Sequence, residues 1–234
     1  FTGVEVFCWS LAIAALVCLD REHYDASALA AGLAATQNPP MALLAAAPVL
    51  LSIRRKPSTQ SLAALAGASV AALPVAFNWW HFGMPTLIAP VLDLGLVSAR
   101  RTASLLLDLS TGLLPYVPVL LVAAPLAVWR LARRRDLQAV VVALAVIGML
   151  LAVQTQVNWN TDGRGLRRYL VWMLPPLAWL VVAAWSGRAR TRLVALAVAT
   201  SGAVLVLDPP SDTSWLEHRP IARWVMREAP ALYS

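Results

Sequence analysis

Charge is scarce in this sequence. Only 13% of its 234 residues are Asp, Glu, Lys or Arg, about half the share of an ordinary soluble domain. A soluble globule of that length has too few such groups to cover its surface. Lysine is nearly missing: Lys56 stands alone, and the other basic side chains are Arg. Cysteine is limited to Cys8 and Cys18, which share one apolar run. On a helix they lie about 15 Å apart along the axis, too far to pair, which excludes a disulfide scaffold. There is no metal-ligand spacing, no Gly-rich phosphate loop and no Ser/His/Asp arrangement, so neither a metal nor a cofactor is expected. The middles of the apolar runs lack Asp, Glu, Lys, Arg and His. Ion-coupled carriers place such groups near the bilayer midplane, and their lack argues against one.

What is present is apolar. Hydrophobic residues make up 59% of the chain, against about 45–50% in soluble domains, and the mean hydropathy is +0.67. Lipid is the natural solvent for such a composition. The expected fold is an all-α polytopic transmembrane bundle of seven or eight helices in the cell membrane, with the lipid bilayer as partner. Residues 1–207 form the helical domain, and residues 208–234 an outer amphipathic tail that could begin a further domain. The net charge of +7 would raise nucleic acid as a partner in a soluble protein. Here the cations cluster between apolar runs, and no nucleic acid is expected. The chain opens on Phe1 rather than Met and lacks a basic leader, which suggests a fragment or processed product that begins with a span.

The apolar runs are Val4 to Leu19, Ala26 to Ile53, Ser61 to Phe77, Gly112 to Leu131, Leu137 to Val157, Tyr169 to Trp185 and Leu193 to Leu207. The second is cut by Gln37-Asn38-Pro39-Pro40. Paired prolines end a helix there, giving either a hairpin of two short helices or one kinked span. Basic residues sort by side. Arg54, Arg55 and Lys56, then Arg130 and Arg133 to Arg135, then Arg188, Arg190 and Arg192 flank span ends, the cytoplasmic side by the positive-inside rule. The hairpin adds Arg21 to them, leaving 11 of the 19 cations inside and 8 outside. Residues Asn78 to Thr111, Asn158 to Arg168 and the tail from Asp208 face outward, with Trp79, Trp80, Phe82, Trp159 and Trp215 at that boundary.

Outward-facing Arg is the exception that draws attention. In Asn158 to Tyr169, residues Arg164, Arg167 and Arg168 share a face at i, i+3 and i+4 if the segment opens a helix. Arg presents a rigid fork of donors suited to phosphate oxygens, so the cluster, with Tyr169 beside it, is a candidate for the phosphate of a lipid-linked substrate. Anionic headgroups or Asp162 could equally engage it. His81, Asp93 and Asp108 in the longest outer loop are further candidates. A carboxylate there could act as general base, although Asp93 and Asp108 also suit helix caps or pairs with Arg100 and Arg101, and His81 beside Trp80 suits an interface. Thr2 to Glu5 and Ser214 to Glu217 have capping-box spacing.

Three stretches resemble a family. Gly32-Leu33-Ala34-Ala35-Thr36-Gln37-Asn38-Pro39 is similar to a turn between short helices in multi-pass glycosyltransferases of the GT-C superfamily related to protein mannosyltransferases, with Gln37-Asn38 where a basic residue is usual. Phe77-Asn78, Phe82-Gly83-Met84-Pro85 and Gly112 to Pro118 resemble the loop and following helix of bacterial members. Gly165-Leu166-Arg167-Arg168-Tyr169-Leu170 with Leu174-Pro175 resembles their Gly-x-Arg-Tyr-Leu…Leu-Pro signature, and Pro220 to Val225 the lead into a periplasmic domain. The resemblance implies inverting transfer of a sugar from a polyprenyl-phosphate donor on the outer face. It assigns Arg168, with Arg164, to the donor phosphate. The acidic catalytic residue of that family lies in a first outer loop that would precede Phe1, so no catalytic base is assigned to Asp93 or Glu5. A transporter or flippase for a lipid-linked or anionic solute, and a non-catalytic membrane scaffold, are the alternative readings.

Overall fold

The computed structural model describes residues 3–55, 58–85, 93–109, 112–155, 168–207 and 227. The chain is all-α, with no strand among the described residues. Helices α1 (Gly3–Asp20), α2 (Tyr24–Gln37), α3 (Ala42–Arg55) and α4 (Thr59–Ser69) form one group in which α2 is central, packing on the other three. Helix α4 runs through a 3-10 turn (Val70–Ala72) into α5 (Leu73–Phe82), and α6 (Ala99–Leu107) lies beyond. The second group is α7 (Pro118–Arg133), α8 (Leu137–Gln154), the short α9 (Arg168–Val171), α10 (Leu174–Ala184) and α11 (Gly187–Leu207). Helix α10 packs on α7 and α8, α11 on α7, and α8 joins the groups by lying against α3.

Local chemistry explains most boundaries. Helix α2 stops at Gln37 because Pro39 and Pro40 lack the amide hydrogens it needs, and they open a 3-10 turn (Pro39–Met41) that redirects the chain. Helices α2 and α3 then lie along each other as a hairpin, closed at its open end by Glu22 paired with Arg55. Helix α1 ends in a Schellman arrangement: the His23 N–H reaches the Cys18 carbonyl at 2.9 Å and the Glu22 N–H reaches that of Leu19 at 3.0 Å. The α7–α8 turn repeats it, with Asp136 reaching Leu131 at 3.1 Å and Arg135 reaching Ala132 at 2.9 Å. Glu22 (φ 63°) and Arg135 (φ 58°) occupy the left-handed position usually given to glycine.

Three expected boundaries are corrected. The segment from Asn78 to Phe82 is not loop but the last turns of α5, because Asn78 alone does not break a helix and the stop comes at Gly83 (φ 67°). Helix α7 opens at Pro118 rather than Gly112, with proline at the first position where its missing N–H costs nothing. The run from Tyr169 to Trp185 is two helices, since Pro175 and Pro176 start α10 afresh after a turn at Trp172 and Met173.

Alanine is prominent among the buried residues, while many large apolar side chains stay exposed. Ala12, Ala28, Ala31, Ala34, Ala64 and Ala127 are buried, whereas on the same helices Ile13, Leu29, Leu33, Leu62 (69% exposed), Leu65 and Leu126 are not. At one crossing side chains vanish altogether. A Cβ on Gly32 of α2 would sit 2.4 Å from the Gly67 carbonyl oxygen of α4, and one on Gly67 would sit 2.8 Å from the Leu29 nitrogen. Among the described residues two helices are long and apolar enough to cross a membrane: Thr59–Phe82, of 24 residues, and Leu137–Gln154, of 18.

The helix ends sort into two poles. Glu22 holds Arg55 and accepts at its backbone oxygen from Gln60 Nε2 (3.1 Å), Gln138 Nε2 donates to the Leu19 carbonyl (2.7 Å), and Arg130 lies 5.8 Å from the Trp185 ring. These contacts draw together the α1–α2, α3–α4, α7–α8 and α10–α11 turns, which carry Arg21, Arg54, Arg55, Arg130, Arg133 to Arg135, Arg188, Arg190 and Arg192. Arg55 donates to the Glu22 carboxylate and thereby holds its pKa below the ordinary value. Lys56 lies outside the described residues.

Candidate functional site

The opposite pole contains the candidate residues. Its scaffold is the end of α8, where Gln154 is fully buried. Its Oε1 accepts from the Ser98 N–H (3.1 Å) and its Nε2 donates to Thr102 Oγ1 (2.9 Å), while Arg101 Nη1 donates to the Gln154 carbonyl (2.6 Å). Next door the Asp93 N–H reaches the Thr155 carbonyl at 3.3 Å. A buried amide that leaves no bond unmade fixes its neighbours, and this one pins both the start of α6 and the segment before it.

Asp93 itself caps a 3-10 turn (Leu94–Leu96), its carboxylate accepting from the Gly95 N–H at 2.8 Å. Ser98 caps α6 by accepting from the Arg101 N–H at 3.2 Å. Asp108 closes the other end of α6, its N–H on the Ser104 carbonyl and its own carbonyl accepting from Gly112 at 2.9 Å. The two acidic candidates therefore belong to one folded unit at the end of α8. His81 does not join them. It lies on the last turn of α5, exposed, with its ring 4.4 Å from that of Phe77 and 6.2 Å from that of Phe82. Trp79 and Trp80 (84% exposed) stand at the same tip.

Arg168 and Tyr169 open α9, with only their backbone described. Arg164, Arg167 and Asp162 lie outside the described residues, as do the helical face predicted for Arg164 to Arg168 and, apart from residue 227, the tail. The turn beyond Tyr169 is firmly seated. Leu170, Val171, Trp172 and Met173 are buried, and Trp9 Nε1 of α1 donates to the Val171 carbonyl at 2.8 Å. This bond places the last residue of α9 beside the first half of α1. There Asn38, also buried, donates through Nδ2 to Cys8 Sγ, so the Gln37-Asn38-Pro39-Pro40 turn belongs to the same pole.

Sequence reasoning missed Gln154. Its signal was an uncharged polar residue closing an otherwise apolar run, but its partners Ser98 and Thr102 are more than fifty positions away. Cys8 and Asn38 are a second miss, joined across 30 positions. Among the described residues no group of three or more His, Cys, Asp or Glu could hold a metal ion. The described part of this pole holds the braced α6–α8 joint and, on α1, the contacts of Cys8 with Asn38 and of Trp9 with Val171, at the far end of the bundle from the basic turns. Compared with known protein families, with characterised proteins and with solved structures, the chain finds no match in any of the three.

Proposed function

We propose that this chain is the membrane core of a GT-C-like glycosyltransferase, which takes a sugar from a polyprenyl-phosphate donor at the extracytoplasmic face of the cell membrane. The observation that carries the membrane part is the surface, where many leucine, isoleucine, valine and tryptophan side chains stand exposed while alanine and glycine line close helix contacts. In water that arrangement would expose a far larger apolar surface than monomeric proteins tolerate. In lipid, helix association depends on close backbone approach, which small residues permit. The basic turns at one pole are the cytoplasmic ends on this reading, and the bundle of seven or eight spans is part of the same proposal.

The catalytic part is supported by the ordered motifs and by where their most specific member falls. Arg168 and Tyr169 open a helix at the pole opposite the basic turns, next to the Asn38–Pro40 turn that carries another of the motifs. An arginine fork at that boundary binds the donor phosphate and stabilises the charge that grows on it as the sugar leaves. In the full-length protein, Arg168→Ala is expected to lower transfer from polyprenyl-phosphate hexoses by at least about tenfold, and a wild-type rate would overturn the assignment. A reporter fused after Leu207 is expected to read extracytoplasmic and one after Arg134 cytoplasmic; the reverse readings would invert the topology.

A further inference from the structure

At the basic pole two turns come together. The α7–α8 turn carries Arg130, Arg133, Arg134 and Arg135, and the start of α11 carries Arg188, Arg190 and Arg192, all exposed. Helix α7 packs on both α10 and α11. Trp185, between α10 and α11, faces the Arg130 guanidinium at 5.8 Å and accepts at its carbonyl from Arg190 Nε at 2.9 Å. Among the described residues none of these seven guanidinium groups is ion-paired with a carboxylate. The nearest acid in sequence, Asp136, is engaged as the cap of α8, accepting from the Ala139 N–H at 3.1 Å. So much unneutralised cationic charge in one place calls for an anionic partner.

The adjoining surface says which kind. Val122 (65% exposed), Leu126, Trp129 and Arg133 succeed one another at spacings of four, three and four residues, one stripe along the outer face of α7. The stripe is apolar for two turns, then aromatic, then cationic, and the Arg133 guanidinium lies 4.2 Å from the Trp129 ring centroid. An acyl chain, a glycerol backbone and a phosphate present the same order over the same depth.

We infer that the α7–α8 and α10–α11 turns together form a binding site for an anionic phospholipid. The headgroup phosphate lies among Arg133, Arg134 and Arg188, and an acyl chain lies along Val122, Leu126 and Trp129. The inference rests on the membrane reading above but not on sugar transfer, and the site lies at the pole opposite the candidate donor site.

The test uses the full chain, purified in neutral detergent and mixed with phosphatidylglycerol or phosphatidylcholine of matched chains, with retained lipid read by native mass spectrometry. Phosphatidylglycerol is expected to be retained over phosphatidylcholine, and the double variant Arg133→Gln with Arg134→Gln to lose roughly fivefold of that preference per charge removed. Arg21→Gln with Arg54→Gln, which removes the same charge elsewhere on the pole, is expected to leave it intact. Trp129→Ala is expected to weaken retention of both lipids without changing their ratio. Equal retention of the two lipids by the unaltered chain, an equal loss in the Arg21/Arg54 variant, or displacement of the lipid by inorganic phosphate alone would each overturn the site. If the membrane reading itself fails, alkaline washing rather than detergent will release the chain from membranes, a separate result.

Discussion

Two joints in this molecule are made of opposite materials. Where α2 crosses α4, Gly32 and Gly67 withdraw their side chains and the backbones touch. Where α6 meets the end of α8, the buried amide of Gln154 reaches across to Ser98 and Thr102. The first joint works by absence: it tolerates nothing added, because the obstacle is a carbonyl oxygen fixed in its own helix. The second works by presence, and a replacement leaves particular donors and acceptors unpaired. The first joint therefore bears on the whole bundle and the second on one pole.

The sharpest way to break that contrast is Gly32→Ala. In an unobstructed helix the change would stabilise by about 1 kcal/mol; here it is expected to destabilise by about 1–3 kcal/mol, read as a lowered thermal midpoint in detergent. Gly148→Ala is the matched control, because its new Cβ meets only the Leu43 side-chain tip, at 2.9 Å, which can swing aside. A destabilisation as large at Gly148 would mean that the crossing at Gly32 is not special.

Gln154→Leu comes next. It strands the Ser98 N–H and removes the donor to Thr102 Oγ1, which keeps its own bond to the Ser98 carbonyl, and is expected to cost about 1–2 kcal/mol, expressed as faster proteolysis between residues 93 and 109 while α2 and α4 stay protected. Uniform loss of protection would show that the two joints unfold as one.

The smallest effect belongs to the hairpin closure at the other pole. Glu22 and Arg55 are both half exposed, so their pair contributes little and salt weakens it. The Glu22 carboxyl titrates below its ordinary value because Arg55 donates to it. Its contribution is therefore present above the unfolded-state pKa and lost as pH falls through the lower folded-state value. Glu22→Gln is expected to remove that acid dependence and to leave the midpoint at neutral pH almost unchanged; an undiminished acid transition would place it elsewhere.

How far these features could be read in advance depends on the distance between partners. The stop at Gln37 was legible because two adjacent prolines act on their own neighbours. So was the role of Asp93 as a cap, which depends on an amide two residues away. The end of α5 was misplaced because its tip, Trp79 to Phe82, is aromatic, and an aromatic tip suits a helix end as well as a loop at a membrane boundary. The break before α10 was missed although Pro175 and Pro176 signal a fresh start, since the surrounding run is apolar throughout. The partners of Gln154 and the Gly32–Gly67 contact could not be read, because each joins segments far apart in sequence and nothing beside either residue names its partner. Of the candidate donor site, Arg168 and Tyr169 fall at a well-anchored helix start, while Arg164, Arg167 and Asp162 lie outside the described residues.

The two helices that are long and apolar enough to span, among the described residues, differ in reach. Thr59–Phe82, with 24 residues, extends about 36 Å, and Leu137–Gln154, with 18, about 27 Å. A hydrocarbon core of about 30 Å lies between those lengths. On the membrane reading the longer helix must lean by roughly 30–35° or leave its last turn among the headgroups, and that last turn is where Trp79 and Trp80 stand. The shorter one draws the lipid thinner around the Gln154 joint. A single folded body that asks for two thicknesses would distort the bilayer unevenly around itself, thinnest alongside α8.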